Sequence, residues 1–126
     1  MANTLYDPTR KRFLEGQINW QTDTIKCLLV DTGAYTPQVQ THEYLSDISG
    51  SARIAGPVTL TSKSTAGGAA DAADVTFTSV TGASIEANII YKDTSNEATS
   101  PLIAYIDTAT GLLASLCAAM RTIRLA

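Results

Sequence analysis

His42 is the single histidine in the chain. A Ser-His-Asp or Cys-His nucleophile would have to take its base from this residue. No Gly-x-Ser-x-Gly elbow accompanies it, and Cys117 sits in an Ala/Leu context. His42 beside Glu43 therefore reads as a solvent-exposed loop or capping residue. The acidic residues Asp71, Asp74, Asp93, Glu97 and Asp107 fall in loops and at strand ends. They are of a type that can hold calcium, but without EF-hand spacing they read as solvated surface groups. Glu86 and Asp107 on neighbouring strands would be the one paired-carboxylate arrangement suited to glycoside hydrolysis. Aromatic residues make up only 6% of the chain, and no sugar platform accompanies that pair. One histidine and two scattered cysteines do not compose a zinc site. Gly67-Gly68 is followed by Ala-Ala, where a phosphate loop needs Gly-Lys-Ser/Thr. No catalytic, cofactor-binding or metal-binding residue is assigned on these grounds. The reading is of a non-enzymatic structural or binding domain.

Bulk properties narrow the partners. The 126 residues carry a net charge of −3, and the pI is near 4.9. Nucleic-acid binding calls for a clustered basic stripe, and the only basic cluster here is Arg10-Lys11-Arg12, which reads as a solvated helix face. No apolar stretch is long enough to span a bilayer, and the N-terminus lacks the apolar core of a signal peptide. Cys27 lies in the apolar run IKCLLV and reads as a buried small hydrophobe; without a visible framework of paired cysteines, a reducing compartment is the default.

The elements that would position such groups are mostly strands. The strongest signal is Ala83–Thr110, two apolar strands joined by the polar loop Lys92–Ser100, with Pro101 opening the second strand. The consecutive Ile89, Ile90 and Tyr91 suggest a strand covered on both faces. Asp74–Val80 alternates and would pair with Ser84–Tyr91 as a hairpin through Thr81-Gly82. Upstream, Asp7 as N-cap and Pro8 at the first position start a helix over Pro8–Glu15, with Phe13 and Leu14 inward and Gly16 ending it. Gln17–Asp31 reads as one strand, or two broken near Gln21–Asp23, with Trp20 as a core or sheet-face anchor. Asp31-Thr32-Gly33 is a turn. Thr41–Ile48 has helical spacing and a Thr41 cap, and Ser49-Gly50 closes it. Ala52–Thr61 is a strand whose Gly56-Pro57 marks a bulge or an edge. Ser62–Ala70 reads as a mobile loop. Leu112–Ala126 is Ala/Leu-rich with three- and four-residue spacing and reads as an amphipathic helix. Short strands without alternating helices give a mainly β fold, a small antiparallel β-sandwich of jelly-roll type with a short N-terminal helix and a C-terminal helix. The chain is one domain, 1–126, made of an arm and helix (1–16), a sandwich (17–111) and a divergent tail (112–126).

The opening MANTLYDPTRKRFLEGQINWQTDTIKCLLVDTGAYT, then HEYLSDI, DAADVTFTSV and IIYKDTSNEATSPLIAYIDTATG, resemble a group of small virion-associated proteins of tailed bacteriophages and prophages. The resemblance runs from Met1 to about Gly111 and rests on ordered blocks, not on a catalytic motif. It implies a structural role on the particle. The favoured role is a head decoration, or cement, protein on the capsid exterior, made in the host cytoplasm. Its partner would be the major capsid protein, and it would act as a homo-oligomer, dimer or trimer, with no cofactor, nucleic acid or membrane. A tail, baseplate or head-fibre component, including a receptor- or glycan-binding β-module, is the alternative; a small hydrolase using His42 or a carboxylate pair is a third reading. Met1–Tyr6 and the Arg10-Lys11-Arg12 helix are candidate contacts. Leu112–Ala126 departs from the group, whose members continue into polar, Gly/Asn-containing sequence and further strands.

Overall fold

The computed structural model describes residues 4–66, 69–73, 87–106 and 123–124. In chain order the elements are β1 (Thr4–Leu5), α1 (Asp7–Leu14), β2 (Ile25–Val30), β3 (Arg53–Thr59), β4 (Ser64–Ala66), β5 (Ala69–Asp71), β6 (Ala87–Lys92), β7 (Leu102–Ile106) and β8 (Ile123–Arg124). Short 3-10 turns occupy Leu45–Asp47, Gly50–Ala52 and Glu97–Thr99. A five-stranded antiparallel sheet has the order β1-β7-β6-β2-β3, and a three-stranded one has the order β4-β5-β8. The protein is mainly β with a single short α-helix among the described residues, as the strand spacing predicts.

β6 lies at the centre of the large sheet, between β2 and β7. Its residues alternate between two apolar layers. Ile90 joins Leu5, Ile18, Trp20, Ile25, Cys27, Leu29, Leu60, Ile103 and Ile106 on one face. Ala87, Ile89 and Tyr91 join Tyr6, Leu28, Val30, Tyr35, Leu45, Ile48, Leu102 and Tyr105 on the other. Coverage on both sides explains why β6 and β7 read as continuous apolar runs. Each fully buried Ile or Leu contributes about 1.5–3 kcal/mol by leaving water, so these layers dominate the fold's stability. A register shift opposite Ile90/Tyr91 leaves Ile103 as an extra residue in β7, and its side chain joins the Ile90 layer.

Several expectations need correction. α1 spans Asp7–Leu14 and is capped by extended Tyr6, not by Asp7. The Asp7 N–H instead donates to the Val39 carbonyl at 2.8 Å, a tertiary partner for a first-turn donor. Phe13 packs against the core, but Leu14 is 89% exposed and buried Thr9 takes the inward place. Gly16 does end the helix, at φ +73°. Gln17–Thr24 is not a strand. Asn19 Oδ1 accepts from the Gln21 and Thr22 N–H groups and Asp23 Oδ2 accepts from the Asn19 N–H, so local side-chain bonds outcompete the ladder. Ile18 and Trp20 are buried all the same. Thr41–Ile48 forms only the 3-10 turn Leu45–Asp47, because Tyr44 is drawn into a bridge with Pro101.

Ser62–Ala70 is not a plain loop: β4 pairs with β5, with Ser64 opposite Asp71. Gly56-Pro57 does mark an irregular edge, since β3 is the outer strand and its register to β2 shifts between Val58 and Ala55. Over Ala87–Lys92 both edges of β6 are taken by β2 and β7, so the expected hairpin partner has no place there; Asp74–Val80 itself lies outside the described residues. In the tail, Ile123–Arg124 is a strand beside β5 and not helix; the rest of Leu112–Ala126 lies outside the described residues. Cys27 is fully buried as expected, but it is disulfide-bonded and not a simple unpaired hydrophobe. Among the described residues no helix is long and apolar enough to cross a membrane.

Candidate functional site

The groups with chemical potential fall into two places. The first is a cleft of about 480 Å³ where the loop between β6 and β7 leans toward the β2–β3 side of the sheet. The loop is built by its own polar side chains. Ser95 sits at φ +68°, held by its N–H donating to Asp93 Oδ1 at 3.0 Å. Asn96 Oδ1 accepts from the Ala98 N–H, and Ser100 Oγ donates to the Asn96 carbonyl at 2.8 Å. This is Asx-turn chemistry, with Asp93 and Asn96 each bonding a backbone N–H two residues on.

Two ion pairs tie that loop to the sheet. Lys26 Nζ lies 3.0 Å from Asp93 Oδ2, and Arg53 Nη2 lies 2.8 Å from Glu97 Oε1. Arg53 also donates to the Leu45 and Ile48 carbonyls, at 2.9 and 2.7 Å, and so caps the 3-10 turn beneath it. The Ser95 N–H and then the Lys26 ammonium hold the Asp93 carboxyl below its ordinary value. The Arg53 hydrogen bond does the same for Glu97. Tyr91 forms part of the floor, and burial, reinforced by Asp93, pushes its hydroxyl up to about 12. The sequence singles out Asp93 and Glu97 only as surface acids. Their basic partners, Lys26 and Arg53, come from strands far away in the chain and carry no signal of their own.

The second place is His42. It is half-buried, not solvent-exposed, and stacks on Tyr35 with centroids 5.5 Å apart and planes at 26°. The Gln38 N–H points at His42 Nδ1 at 3.3 Å, so this nitrogen is the acceptor. The Tyr35 hydroxyl, 3.0 Å from the same atom, then donates to it, and the fully buried Tyr6 hydroxyl donates to Tyr35 across 2.7 Å. Burial raises the Tyr6 hydroxyl far above its normal range and pushes Tyr35 up to about 12. The chain Tyr6–Tyr35–His42 thus stitches the N-terminal arm to the 31–44 segment. It presents no activated nucleophile.

Asp47 faces the same segment. Desolvation acts to raise its carboxyl, but the Glu43 and Tyr44 N–H groups outweigh that and hold it low. The basic trio is divided. Arg10 faces Asp7 at 3.6 Å and Lys11 is exposed. Arg12 is consumed by Glu43, by the Tyr44 hydroxyl at 2.8 Å and by the Tyr44 ring. Glu86, Asp107, Asp74, Cys117 and Gly67-Gly68 lie outside the described residues. Asp71 is placed in β5 by its backbone. Among the described residues no group of three His, Cys, Asp or Glu side chains could hold a metal ion. No protein-family model matches the chain, and no curated protein matches it.

Proposed function

We propose that the chain is a non-enzymatic structural protein of a tailed-phage particle, most simply a decoration protein that clamps the major capsid lattice from outside. The ordered sequence blocks from Met1 to Gly111 suggest the particle. The observation that supports the non-enzymatic half is where the reactive side chains among the described residues are spent. His42 Nδ1 already accepts from Tyr35 and Gln38, Cys27 is disulfide-bonded, and Asp93 and Glu97 neutralise Lys26 and Arg53. Each of these contacts holds a loop or covering segment in place, the use a structural domain makes of such groups. A small two-sided sheet with a short helix is also a rigid body suited to bridging capsomers, as dimers or trimers on local symmetry axes.

Counting copies of this protein in purified particles tests the reading. A decoration protein scales with the capsid lattice, and capsids lacking it lose thermal stability. A copy number in the tens or fewer, confined to tail fractions, would transfer the protein to the tail or fibre and defeat the capsid assignment. Absence from particles would sink the virion reading entirely.

A further inference from the structure

The cleft beside the β6–β7 loop holds donors that the fold leaves unused. Arg53 bonds through Nη2 alone, to the Leu45 and Ile48 carbonyls and to Glu97 Oε1. Its Nε is buried and has no hydrogen-bond partner. Tyr91 is only 2% exposed and forms part of the cleft floor, where its hydroxyl is close enough to Asp93, Arg53 and Glu97 to feel all three charges. That hydroxyl has no hydrogen-bond partner among the described residues. Two buried groups with unused donors border one cleft of about 480 Å³, a volume in the range of small-ligand sites. They call for an occupant that supplies acceptors.

Glu97 shows which acceptor fits. Its carboxylate lies 2.8 Å from Arg53 Nη2, touching it through one oxygen, on a side chain that is 58% exposed. Such a surface pair contributes little, so Glu97 returns to water at small cost. Arg53 stays in place without it, because the Leu45 and Ile48 carbonyls hold the guanidinium. With Glu97 swung away, Lys26 and Arg53 face Asp93 alone, and the cleft carries one uncompensated positive charge. A single carboxylate restores the balance, and a dianion oversteps it. An incoming carboxylate that also brings a second acceptor does what Glu97 does and satisfies Tyr91 as well.

We propose that this cleft binds a small monocarboxylate, whose carboxylate displaces Glu97 from Arg53 and whose second acceptor, an amide carbonyl or equivalent, takes the Tyr91 O–H. This binding role is separate from the particle role and does not rest on it.

The test is a titration of the isotope-labelled full chain, followed by amide chemical shifts. N-acetylglycine is the probe, N-acetylglycinamide is its neutral counterpart, and inorganic phosphate is the general anion. The expected result is saturable shifts at Tyr91, Glu97 and Ala98 with N-acetylglycine, none with the amide, and weaker ones with phosphate. Glu97→Gln removes the resident competitor and should bind N-acetylglycine about threefold more tightly. Tyr91→Phe keeps the ring and breaks no bond of the free protein, so it should fold and bind about fivefold more weakly. Absence of saturable shifts overturns the proposal. So do shifts located elsewhere, an equal response to the amide or to phosphate, or unchanged affinity in either folded variant.

Discussion

The two faces of the large sheet are built from the same strands and differ in kind. One face is aliphatic: Ile25, Leu29, Ile90 and Ile106 pack with Trp20 and Leu60, and the layer has few polar atoms. The other is tyrosine-rich: Tyr6, Tyr35, Tyr91 and Tyr105 are buried among Leu28, Ile48 and Ile89, and a hydrogen-bond chain threads it out to His42. The first face is held by shape and exclusion of water. The second adds directional bonds, so it specifies how the arm and the 31–44 segment dock as well as that they dock. The comparison teaches that strand alternation decides which residues share a layer, while the chemistry of the covering segments decides what the layer can do.

The largest effect tests the aliphatic face. Ile90→Ala in the central strand should cost about 2–5 kcal/mol in urea unfolding, because a fully buried side chain leaves a cavity between two occupied neighbours. A cost under about 1 kcal/mol would mean that the layer collapses freely and is not tightly packed. On the opposite face Tyr35→Phe removes a hydroxyl that both accepts from Tyr6 and donates to His42, and should cost about 1–3 kcal/mol. Tyr6→Phe removes one bond and should cost less. If the two variants are equal in cost, the directed chain is not the organising feature.

Asn88 breaks the comparison from the other side. It is fully buried in β6 on the Ile90 side by alternation, and neither its amide oxygen nor its nitrogen has a partner. Asn88→Leu should therefore be neutral or stabilising by about 1 kcal/mol, since no made bond is lost and a desolvated polar group goes. A large loss on that substitution would show that the amide is engaged. The ion-paired cleft should respond to acid. The folded state holds Asp93 below its ordinary value of 3.8, so its contribution is complete above the unfolded value and is lost as pH falls through the lower folded one. Asp93→Asn should accordingly flatten the stability difference between pH 7 and pH 3, measured by urea midpoints; an unchanged slope would assign the acid sensitivity elsewhere. The smallest effect belongs to the surface. Leu14→Ser should change stability by no more than about 0.5 kcal/mol, as befits an 89% exposed side chain.

The β6–loop–β7 hairpin is legible in the sequence because the local signals agree: two apolar runs, a polar loop between them and a proline at the start of the second strand. The same holds for the bulged edge at Gly56-Pro57. Where local signals conflict with distant partners, reading fails. Ile18 and Trp20 alternate like a strand and are buried like one, but Asn19 and Asp23 close turns around them. Leu14 looks inward by type and points out, because Thr9 is the residue that meets the Leu102 carbonyl. His42 looks exposed, and only the packing of Tyr35 beside it explains why it is not.

From the sequence alone the protein is determined to be mainly β, with a central two-sided strand pair, a short leading helix and no marked catalytic motif. Periodicity and turn chemistry act over a few residues, so they survive in one dimension. Tertiary structure alone decided the strand order β1-β7-β6-β2-β3, the capture of Asp93 and Glu97 by Lys26 and Arg53, and the Tyr6–Tyr35–His42 chain. Each joins groups remote along the chain, and neither local propensity nor composition encodes which distant side chain satisfies a buried hydroxyl or a half-buried charge.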